Sequence, residues 1–566
     1  MTRRRLLALS LALLCLPVPI GCRTRTVELV APVAGDVVVA PGAPDGIETV
    51  FAGDARDEDA KDGDLSLLYP NHEAVLPRNL AALEVQWKAD KELDHFELRV
   101  RAGDETLRIY TGAEAHRFGD ARWERLVRDH AGSRIELSLR ASDGDSEGPV
   151  LRSRPLEVQL SASEVPGTVY FWSTGAAGIM RSTLSSRVAT KFFPAPASID
   201  ARADAGMGTR GPECVGCHTL SRDGRRLAVA TGDEGLLQVK TADGSALSTA
   251  AQQAFGWGSF DPGATRLIVA HEGGLSVLDA DTGAPLSERP AEDGPGLTHP
   301  DWSPDGRHVA VALVADKWDD DKKLEGSSLA RLSVALDGTL GEPEILVQSE
   351  DEDDTLSFPA HSPDGAWIAF TRTDGKSKDA KKSQLWIVAA DGSGEPIELA
   401  RLNFREGLEE GKDMGNSMPT WAPGLGDGRH WLAFSSVRDY GQRRTDDKRD
   451  QMWAAAIGSD VVAGEDPSSA AFWLPFQQDE DSNHRAFWAL SGDACGSVEL
   501  CNDADDDCDD RVDESCCTPE PEQCGDGLDN DCDGQRDEAC GCAFAELCDN
   551  EVDEDCDGRF DEDCLL

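Results

Sequence analysis

The chain has 566 residues, with 106 acidic and 55 basic side chains and a formal net charge of −51. This length exceeds one compact domain and indicates roughly three to four. The negative charge excludes a general nucleic-acid binder, because lysine and arginine bind phosphate backbones. The last 72 residues alone hold 27 acids, 3 bases and 12 of the 16 cysteines. We therefore expect the C-terminal end to fold by other means than the rest of the chain.

Residues 1–22 form an export signal. Arginines at positions 3–5 precede an apolar stretch that is too short for a dedicated membrane span. The end, Ile20-Gly21-Cys22, resembles a bacterial lipoprotein signal, which implies lipidation of Cys22; ordinary cleavage nearby is the alternative. We expect a protein of the bacterial cell envelope, either an outer-membrane lipoprotein or a periplasmic or cell-surface protein. Its cysteines would mature where disulfides persist.

Two segments of different character follow the signal. Residues 23–64 are rich in Pro, Gly, Ala and Asp, which predicts a flexible linker. Residues 65–162 contain short alternating apolar runs between polar turns, such as LEVQW and LEVQL. This pattern predicts an antiparallel sandwich with Trp87 in its core. It resembles an immunoglobulin-like or fibronectin type III module.

Residues 165–490 contain an internal repeat of a turn followed by an apolar strand. The clearest copies are HPDWSPDGRHVAVAL at 299–313 and PAHSPDGAWIAFT at 359–371. The glycines of four such turns are Gly224, Gly263, Gly306 and Gly365. Such spacings, with short strands, indicate propeller blades. The WSPDG turn resembles that of TolB-type propellers, which implies an all-β propeller fold for this region.

The ends of the repeat region predict how the ring closes. Five blades carry a recognisable turn, and residues 167–182 and 470–478 are expected to supply one more blade together. Closure from both ends removes exposed sheet edges. We expect six blades, with seven as the alternative.

Residues 495–566 divide into three pieces with four cysteines each and an acidic core. Alternate aspartates in a tight loop converge on one centre, as in calcium loops. Gly534 and Gly558 permit the sharp turn in two cores, whereas the first core has Asp510 there. The predicted metal ligands are Asp505, Asp507, Asp509, Asp513, Asp529, Asp531, Asp533, Asp537, Glu538, Asp553, Asp555, Asp557, Asp561 and Glu562.

The chemistry of these repeats favours calcium. Carboxylate oxygens prefer hard cations over zinc or copper. Each piece is too small for a hydrophobic core, so disulfides and bound ions would hold it together. A solvated acidic tail and a thiolate–zinc site are the alternatives. The repeats closely resemble the MopE-type metal-binding repeats of bacterial surface proteins, which implies metal binding rather than catalysis.

The sequence CVGCH at 214–218 has the spacing of a c-type haem attachment site. Cys214 and Cys217 would bond the haem vinyl groups while His218 ligates the iron. A Cys214–Cys217 disulfide is the alternative, followed by a metal site or free thiols. Counted from the blade turns, His299 and Met418 match Cys217 at the start of an inner strand. Either one is therefore a candidate second axial ligand for the haem.

Motifs of common enzymes are missing from the sequence. It contains no nucleophile elbow, phosphate-binding loop or HExxH motif, which points away from an enzyme. We expect an envelope binding protein whose propeller face binds a protein or envelope partner, with calcium in the C-terminal repeats. The alternative is an electron-transfer protein that carries haem c at Cys214 and Cys217. A purely structural envelope protein is the third possibility.

Overall fold

The computed structural model describes most of the chain between residues 37 and 490. The gaps are residues 62, 146, 194–217, 232–234, 242–243, 245, 251–255, 292–294, 315–323, 378–381, 405–413, 425–426, 444–448 and 479. Within the described residues, regular structure is almost entirely strand, so the predicted all-β class is confirmed. No helix in this part of the chain is long and apolar enough to cross a membrane.

The N-terminal unit is a sandwich of two sheets. Its strands are β1 (Val37–Val39), β2 (Asp57–Asp59), β3 (Leu65–Tyr69), β4 (Ala74–Leu76), β5 (Glu84–Ala89), β6 (His95–Ala102), β7 (Glu105–Thr111), β8 (Ala115–Arg117), β9 (Arg134–Ser142), β10 (Val150–Arg152) and β11 (Leu156–Leu160). Its helices are α1 (Ile47–Val50) and α2 (Asp120–Asp129). The larger sheet has the order β1-β7-β6-β9-β10-β2, with β11 on β9 and β4 on β11; the smaller sheet is β3-β5-β8.

The sandwich core is aromatic and contains a buried charge network. Trp87 is fully buried, as predicted, and meets Phe96 edge-on with the ring centroids 5.6 Å apart. The Arg140 guanidinium, also buried, donates to a carboxylate oxygen of Glu97 and to one of Asp57, both at 2.5 Å. Buried ions persist only where hydrogen bonds satisfy them, and this network joins edge strand β2 of the larger sheet to its middle strands β6 and β9.

The linker prediction is wrong for residues 37–64. Strand β1 pairs in parallel with β7, and β2 pairs in parallel with β10. Helix α1 lies between them and buries Ile47 and Val50. The Pro, Gly and Asp content of this segment suggested a flexible chain, but its partner strands lie 70 or more residues away in sequence. Long-range pairing of this kind leaves no local pattern.

The second unit consists of four four-stranded sheets and one eight-stranded sheet, arranged as propeller blades. Its strands are β12 (Thr168–Ser173), β13 (Gly178–Ser182), β14 (Thr190–Phe193), β15 (His218–Leu220), β16 (Arg226–Thr231), β17 (Gly235–Lys240), β18 (Ala246–Ala250), β19 (Trp257–Phe260), β20 (Arg266–His271), β21 (Gly274–Asp279), β22 (Pro285–Arg289), β23 (Gly296–Trp302), β24 (His308–Val314), β25 (Ser327–Ser333), β26 (Glu344–Val347), β27 (Asp354–His361), β28 (Trp367–Asp374), β29 (Gln384–Ala389), β30 (Ile397–Glu398), β31 (Ser417–Trp421), β32 (Arg429–Ser436), β33 (Gln451–Gly458), β34 (Phe472–Trp473) and β35 (Asn483–Ala489). A short helix, α3 (Ala400–Asn403), precedes β31.

The innermost strands form a ring. Going round it, β15, β19, β23, β27, β31 and β35 each contact the next, and β35 contacts β15 again. Among the described strands this ring has six inner strands in five sheets, because β23 and β27 belong to one eight-stranded sheet that is joined by a single β25–β27 pair, Ser327 with Thr355. The closing strand differs from the expectation: β35 at Asn483–Ala489 pairs with β12, whereas Phe472–Trp473, within the predicted 470–478, is the outer strand of the last sheet. Closure still uses both ends of the domain.

The repeated turns of neighbouring blades touch one another. Gly306 has φ +70°, and a Cβ there would lie 3.5 Å from the Pro262 ring of the preceding turn. Gly365, at φ +71°, has the same relation to Pro304 at 3.7 Å. The Pro and Gly of each turn therefore fix the turn itself and also help to space the blades.

The sandwich is attached to the propeller by polar and apolar contacts. The Ser161 hydroxyl donates to Asp427 Oδ2 at 2.6 Å, and the Asn71 amide donates to the Ala471 carbonyl at 2.6 Å. Gln442 donates to the carbonyl of Trp87. One continuous set of buried apolar side chains runs from the sandwich into the last blade. The two units therefore share a core.

Candidate functional site: the end of the propeller channel

The turn of each blade fixes the register of the inner strand before it. In one blade the Ser303 hydroxyl donates to Asp305 Oδ1 at 2.6 Å and accepts from the His308 amide at 3.0 Å. Ser362 makes the same pair of bonds to Asp364 and to the Trp367 amide. Because these turns start at equivalent points, the residue four positions earlier falls at the same height in each blade.

At that height several blades carry a strained residue. His299, Phe358 and Met418 have φ values of +50°, +51° and +54°, and each precedes a proline. Strand pairing shifts register at each of them, as in a β-bulge. Arg485 in the closing strand has φ +55° and lies at a similar shift. A non-glycine residue in this region costs about 1–3 kcal/mol, and such strain clusters at functional sites.

The side chains of His299, Phe358 and Arg485 meet that of Trp257 across the centre of the ring, and Met418 occupies the equivalent position on β31. The Trp257 ring lies 5.2 Å from the Phe358 ring, although a strand separates β19 from β27. The Arg485 guanidinium lies 4.5 Å from the centre of the Trp257 ring, again past an intervening strand. Contacts that skip a blade must cross the channel. We call Trp257, His299, Phe358, Met418 and Arg485 the channel-end cluster.

His299 is the buried polar member of the cluster. Its ring lies 4.0 Å from that of Phe358 and 4.8 Å from that of Trp257, centre to centre. Burial, followed by the nearby charge of Arg485, holds the pKa of His299 well below its usual range. Among the described residues nothing hydrogen-bonds to its buried Nδ1. The site thus offers a neutral imidazole, a cation and an aromatic surface close together.

The predicted haem residues are only partly within the described structure. Cys214 and Cys217 lie outside it. His218 is the first residue of inner strand β15, is buried, and has its ring 5.3 Å from that of Phe487. His299 instead contacts Trp257, which belongs to the strand between β15 and β23. No contact therefore joins His218 to His299 in the described part of the chain.

Met418, the other candidate axial ligand, is held through its backbone, and two residues of the cluster were not predicted. The Met418 amide donates to the Thr371 hydroxyl at 3.2 Å. Sequence reasoning missed Trp257 and Arg485. Counting four residues back from the turn at Asp261 would have found Trp257, whereas the closing strand that holds Arg485 precedes no such turn.

The predicted lipidation and metal sites lie outside the described residues. This applies to Cys22 and to all the carboxylates proposed as ligands in 495–566. Within the described part, no group of three or more His, Cys, Asp or Glu side chains is arranged to hold a metal ion.

The C-terminal repeats have a match among known families. Residues 495–514, 519–538 and 543–562 match the model of the Cu-binding MopE family, whose description is "Putative metal-binding motif". These are MopE-type repeats. The resemblance seen in the spacing of cysteine and aspartate is thus confirmed, and the MopE-type repeats occupy the segment predicted for them. No curated protein matches the chain.

Solved structures with similar folds include propeller proteins. A structure of "putative TolB" from Agrobacterium tumefaciens is 14% identical, covers 57% of this chain and 98% of its own, and has a TM-score of 0.31. TolB from Acinetobacter baumannii is 11% identical, covers 63% and 79%, and has a TM-score of 0.37. Hydrazine synthase from Kuenenia stuttgartiensis is 13% identical, with coverage of 39% and 75% and a TM-score of 0.24. Because these TM-scores are low, we draw no conclusion about the blades of this chain from the three structures.

Proposed function

We propose that this chain is an exported, envelope-associated binding protein whose propeller receives a segment of a partner protein at the channel-end cluster. The repeated strained position supports this most strongly, because Phe358, Met418 and Arg485 are all held there at a cost in backbone energy. Propeller faces present loops from every blade to one ligand. The aromatic and thioether groups would supply apolar contact area, while the Arg485 guanidinium would fix the orientation of the bound segment.

Photo-crosslinking in the exporting cell tests this site. Met418, which is partly exposed, is replaced by p-benzoylphenylalanine in the full chain. Leu336, fully exposed on a blade hairpin, serves as the control position. We expect an adduct of defined mass from position 418, no such adduct from position 336, and weaker adduct formation when Arg485→Ala is added. Equal yields at both positions, or no adduct at 418, would refute the proposal.

For the C-terminal repeats we propose calcium as the bound ion. The matched family model supports metal binding, and the alternate carboxylates of each core support a hard cation. Because the family is named for copper, elemental analysis of the full chain distinguishes the two metals. We expect calcium in the purified protein and a lower melting temperature for the repeats in EGTA. Replacing Asp529, Asp531 and Asp533 with Asn should remove one site's share of calcium.

We also propose that Cys22 carries the lipid anchor. The motif Ile20-Gly21-Cys22 supports it. Cys22→Ser should move the protein from the membrane fraction to the soluble periplasm. An unchanged distribution would contradict anchoring at this cysteine.

A second candidate function is electron transfer by a covalent haem. It is favoured by the position of His218, a buried imidazole that directly follows Cys217 at the start of inner strand β15. A haem there would supply one-electron chemistry, and His218 would hold the iron. Periplasmic protein should then show a Soret band and covalent haem staining, both lost in His218→Ala or Cys214→Ser. A colourless protein with a Cys214–Cys217 disulfide would rule this function out.

A further inference from the structure

The propeller channel has a second end, formed by the repeated turns. These turns follow the channel-end cluster by four residues along the inner strands. Closing strand β35 has Arg485 in the cluster and ends four residues later, at Ala489. The Thr420 hydroxyl of neighbouring β31 donates to the Ala486 carbonyl, which agrees with strands that run the same way round the ring. The chain therefore leaves the ring at this second end, which we call the turn mouth.

Arg222 reaches across the turn mouth. It belongs to the turn after β15, yet its Nη2 donates to the Trp302 carbonyl on β23 at 2.6 Å. This contact passes the intervening blade of β19, so the guanidinium lies over the channel. Nη2 is also 4.0 Å from Asp301 Oδ2, beyond hydrogen-bond distance, and that oxygen already accepts the His361 amide at 2.7 Å. Among the described residues the Trp302 carbonyl is thus the one hydrogen-bond acceptor for a group with five donors, and 31% of the side chain is exposed.

Two further arginines lie in the turns around the mouth. Arg225 and Arg307 each follow the turn glycine of their blade, and both are exposed. Their backbone amides donate to Asp223 and Asp305 at 3.0 Å, but in the described part of the chain their guanidiniums form no ion pair within 4 Å. The two aspartates offset two of the three arginine charges around the rim. A segment rich in carboxylates would therefore meet three guanidiniums there, with that of Arg222 in the centre.

The first MopE-type repeat, residues 495–514, begins within reach of the turn mouth. Cys495 is the fifth residue after Leu490, and five residues span at most about 18 Å. The repeat holds nine acidic residues and one basic residue. Its core has Asp510 where the other two cores have a turn glycine, so its carboxylates are the least suited of the three sets to surround an ion. A short tether gives an effective concentration in the millimolar range, so ion pairs that are individually weak are enough for binding.

We propose that the turn mouth binds carboxylates of the first MopE-type repeat of the same chain. Arg222 would receive one carboxylate over the channel, since guanidinium and carboxylate form charge-assisted, often bidentate bonds. Arg225 and Arg307 would pair with others at the rim. The contact would cover the turn mouth and leave the channel-end cluster open, so that a partner reaches the channel from one side. It does not depend on which metal the repeats bind.

Zero-length cross-linking of the full chain tests the proposal. Arg225→Lys places an amine at the rim, and a carbodiimide then joins this amine to a carboxylate that touches it, taking up the released water as a urea. We expect linked peptides that connect residue 225 to residues 495–514. In a mixture of 15N-labelled and unlabelled protein, both halves of each linked peptide should carry the same label. Arg101→Lys, beside Glu136 on the sandwich, is the control and should not link to the repeat.

A second substitution measures the part played by Arg222. Adding Arg222→Gln to Arg225→Lys should lower the yield of the linked peptides about 5-fold, because one ion pair is lost. Raising the salt concentration to about 1 M should lower it as well, since exposed charges are then screened. Adding Arg289→Gln instead, on outer strand β22 and paired with Glu342 at 2.8 Å, should leave the yield unchanged. Unaltered melting temperatures show that the variants fold.

Three results would overturn the proposal. They are the absence of links between residue 225 and the repeat, equal linking of the repeat to residues 101 and 225, and a yield that Arg222→Gln leaves unchanged. Links found only between labelled and unlabelled chains would show that the repeat binds a second copy, which also contradicts binding within one chain. None of these results bears on the channel-end cluster, because the variants lie at the other end of the channel.

Discussion

The sandwich and the propeller are stabilised in different ways. The sandwich depends on features that occur once, above all the Arg140 network that joins β2, β6 and β9. The propeller depends on small features that recur, such as the hydroxyl-capped turns at Ser303 and Ser362. In the sandwich much of the folding free energy depends on one buried charged residue, whereas in the propeller each repeated turn contributes a small share. Single substitutions should therefore have much larger effects in the sandwich than in the propeller turns.

The largest effect is expected from Arg140→Met. The change removes the guanidinium that satisfies Glu97 and Asp57, and leaves both carboxylates buried in the sandwich. Breaking a buried pair in this way costs about 3–5 kcal/mol. Chemical unfolding followed by tryptophan fluorescence should show this loss of stability.

The control for this prediction is Arg101→Met. Arg101 pairs with Glu136 at 2.8 Å, but more than half of its side chain is exposed. An exposed pair contributes about 1 kcal/mol or less. If the two variants lose equal stability, the Arg140 network is not the special feature of the sandwich that the contacts indicate.

A smaller, pH-dependent effect is expected where the ring closes. The Asp450 amide donates to the Ser482 hydroxyl at 3.2 Å, and its carbonyl accepts the Asn483 amide at 2.7 Å, at the first residue of closing strand β35. Burial raises the pKa of Asp450 from 3.8 to about 6. The folded state therefore binds this proton more tightly than the unfolded state. Stability is fully kept below about pH 4 and falls as pH rises from 4 to 6.

Asp450→Asn should remove this dependence. At pH 7 the variant should be more stable than the native protein by about 1–3 kcal/mol, and the difference should vanish near pH 4. Thermal unfolding at pH values from 4 to 7 measures both. Asp460→Asn, at an exposed aspartate near the far end of β33, should leave the pH profile unchanged. A native profile that is flat over this range would contradict the prediction.

How far the sequence could predict the fold depends on whether a feature is local. The blade strands were found because a turn marks them, as at Gly306 and Gly365, and Trp87 was found because its strand alternates. Strands β1 and β2 were missed because their partners are distant. The closing strand was misplaced by several residues because it precedes no turn.

The same limit applies to the candidate sites. The height of His299, Phe358 and Met418 follows from counting back from the turns, so sequence alone could align them. Their positive φ values and the approach of Arg485 to Trp257 depend on ring closure, which brings distant strands together.

The smallest effect is expected from the repeated turns, and it tests whether they act separately. Ser362→Ala removes the acceptor for the Trp367 amide and should cost about 1 kcal/mol. Ser221, in a blade on the opposite side of the ring, accepts the equivalent bond from the Arg226 amide. Ser221→Ala should therefore lower the free energy of unfolding by the same amount. The two changes should add within about 0.5 kcal/mol, because distant sites are independent.

The double variant Ser303→Ala with Ser362→Ala should depart from additivity, since Pro304 of one turn lies against Gly365 of the other. Strict additivity in both pairs would mean that the Pro–Gly contact spaces the blades without coupling them.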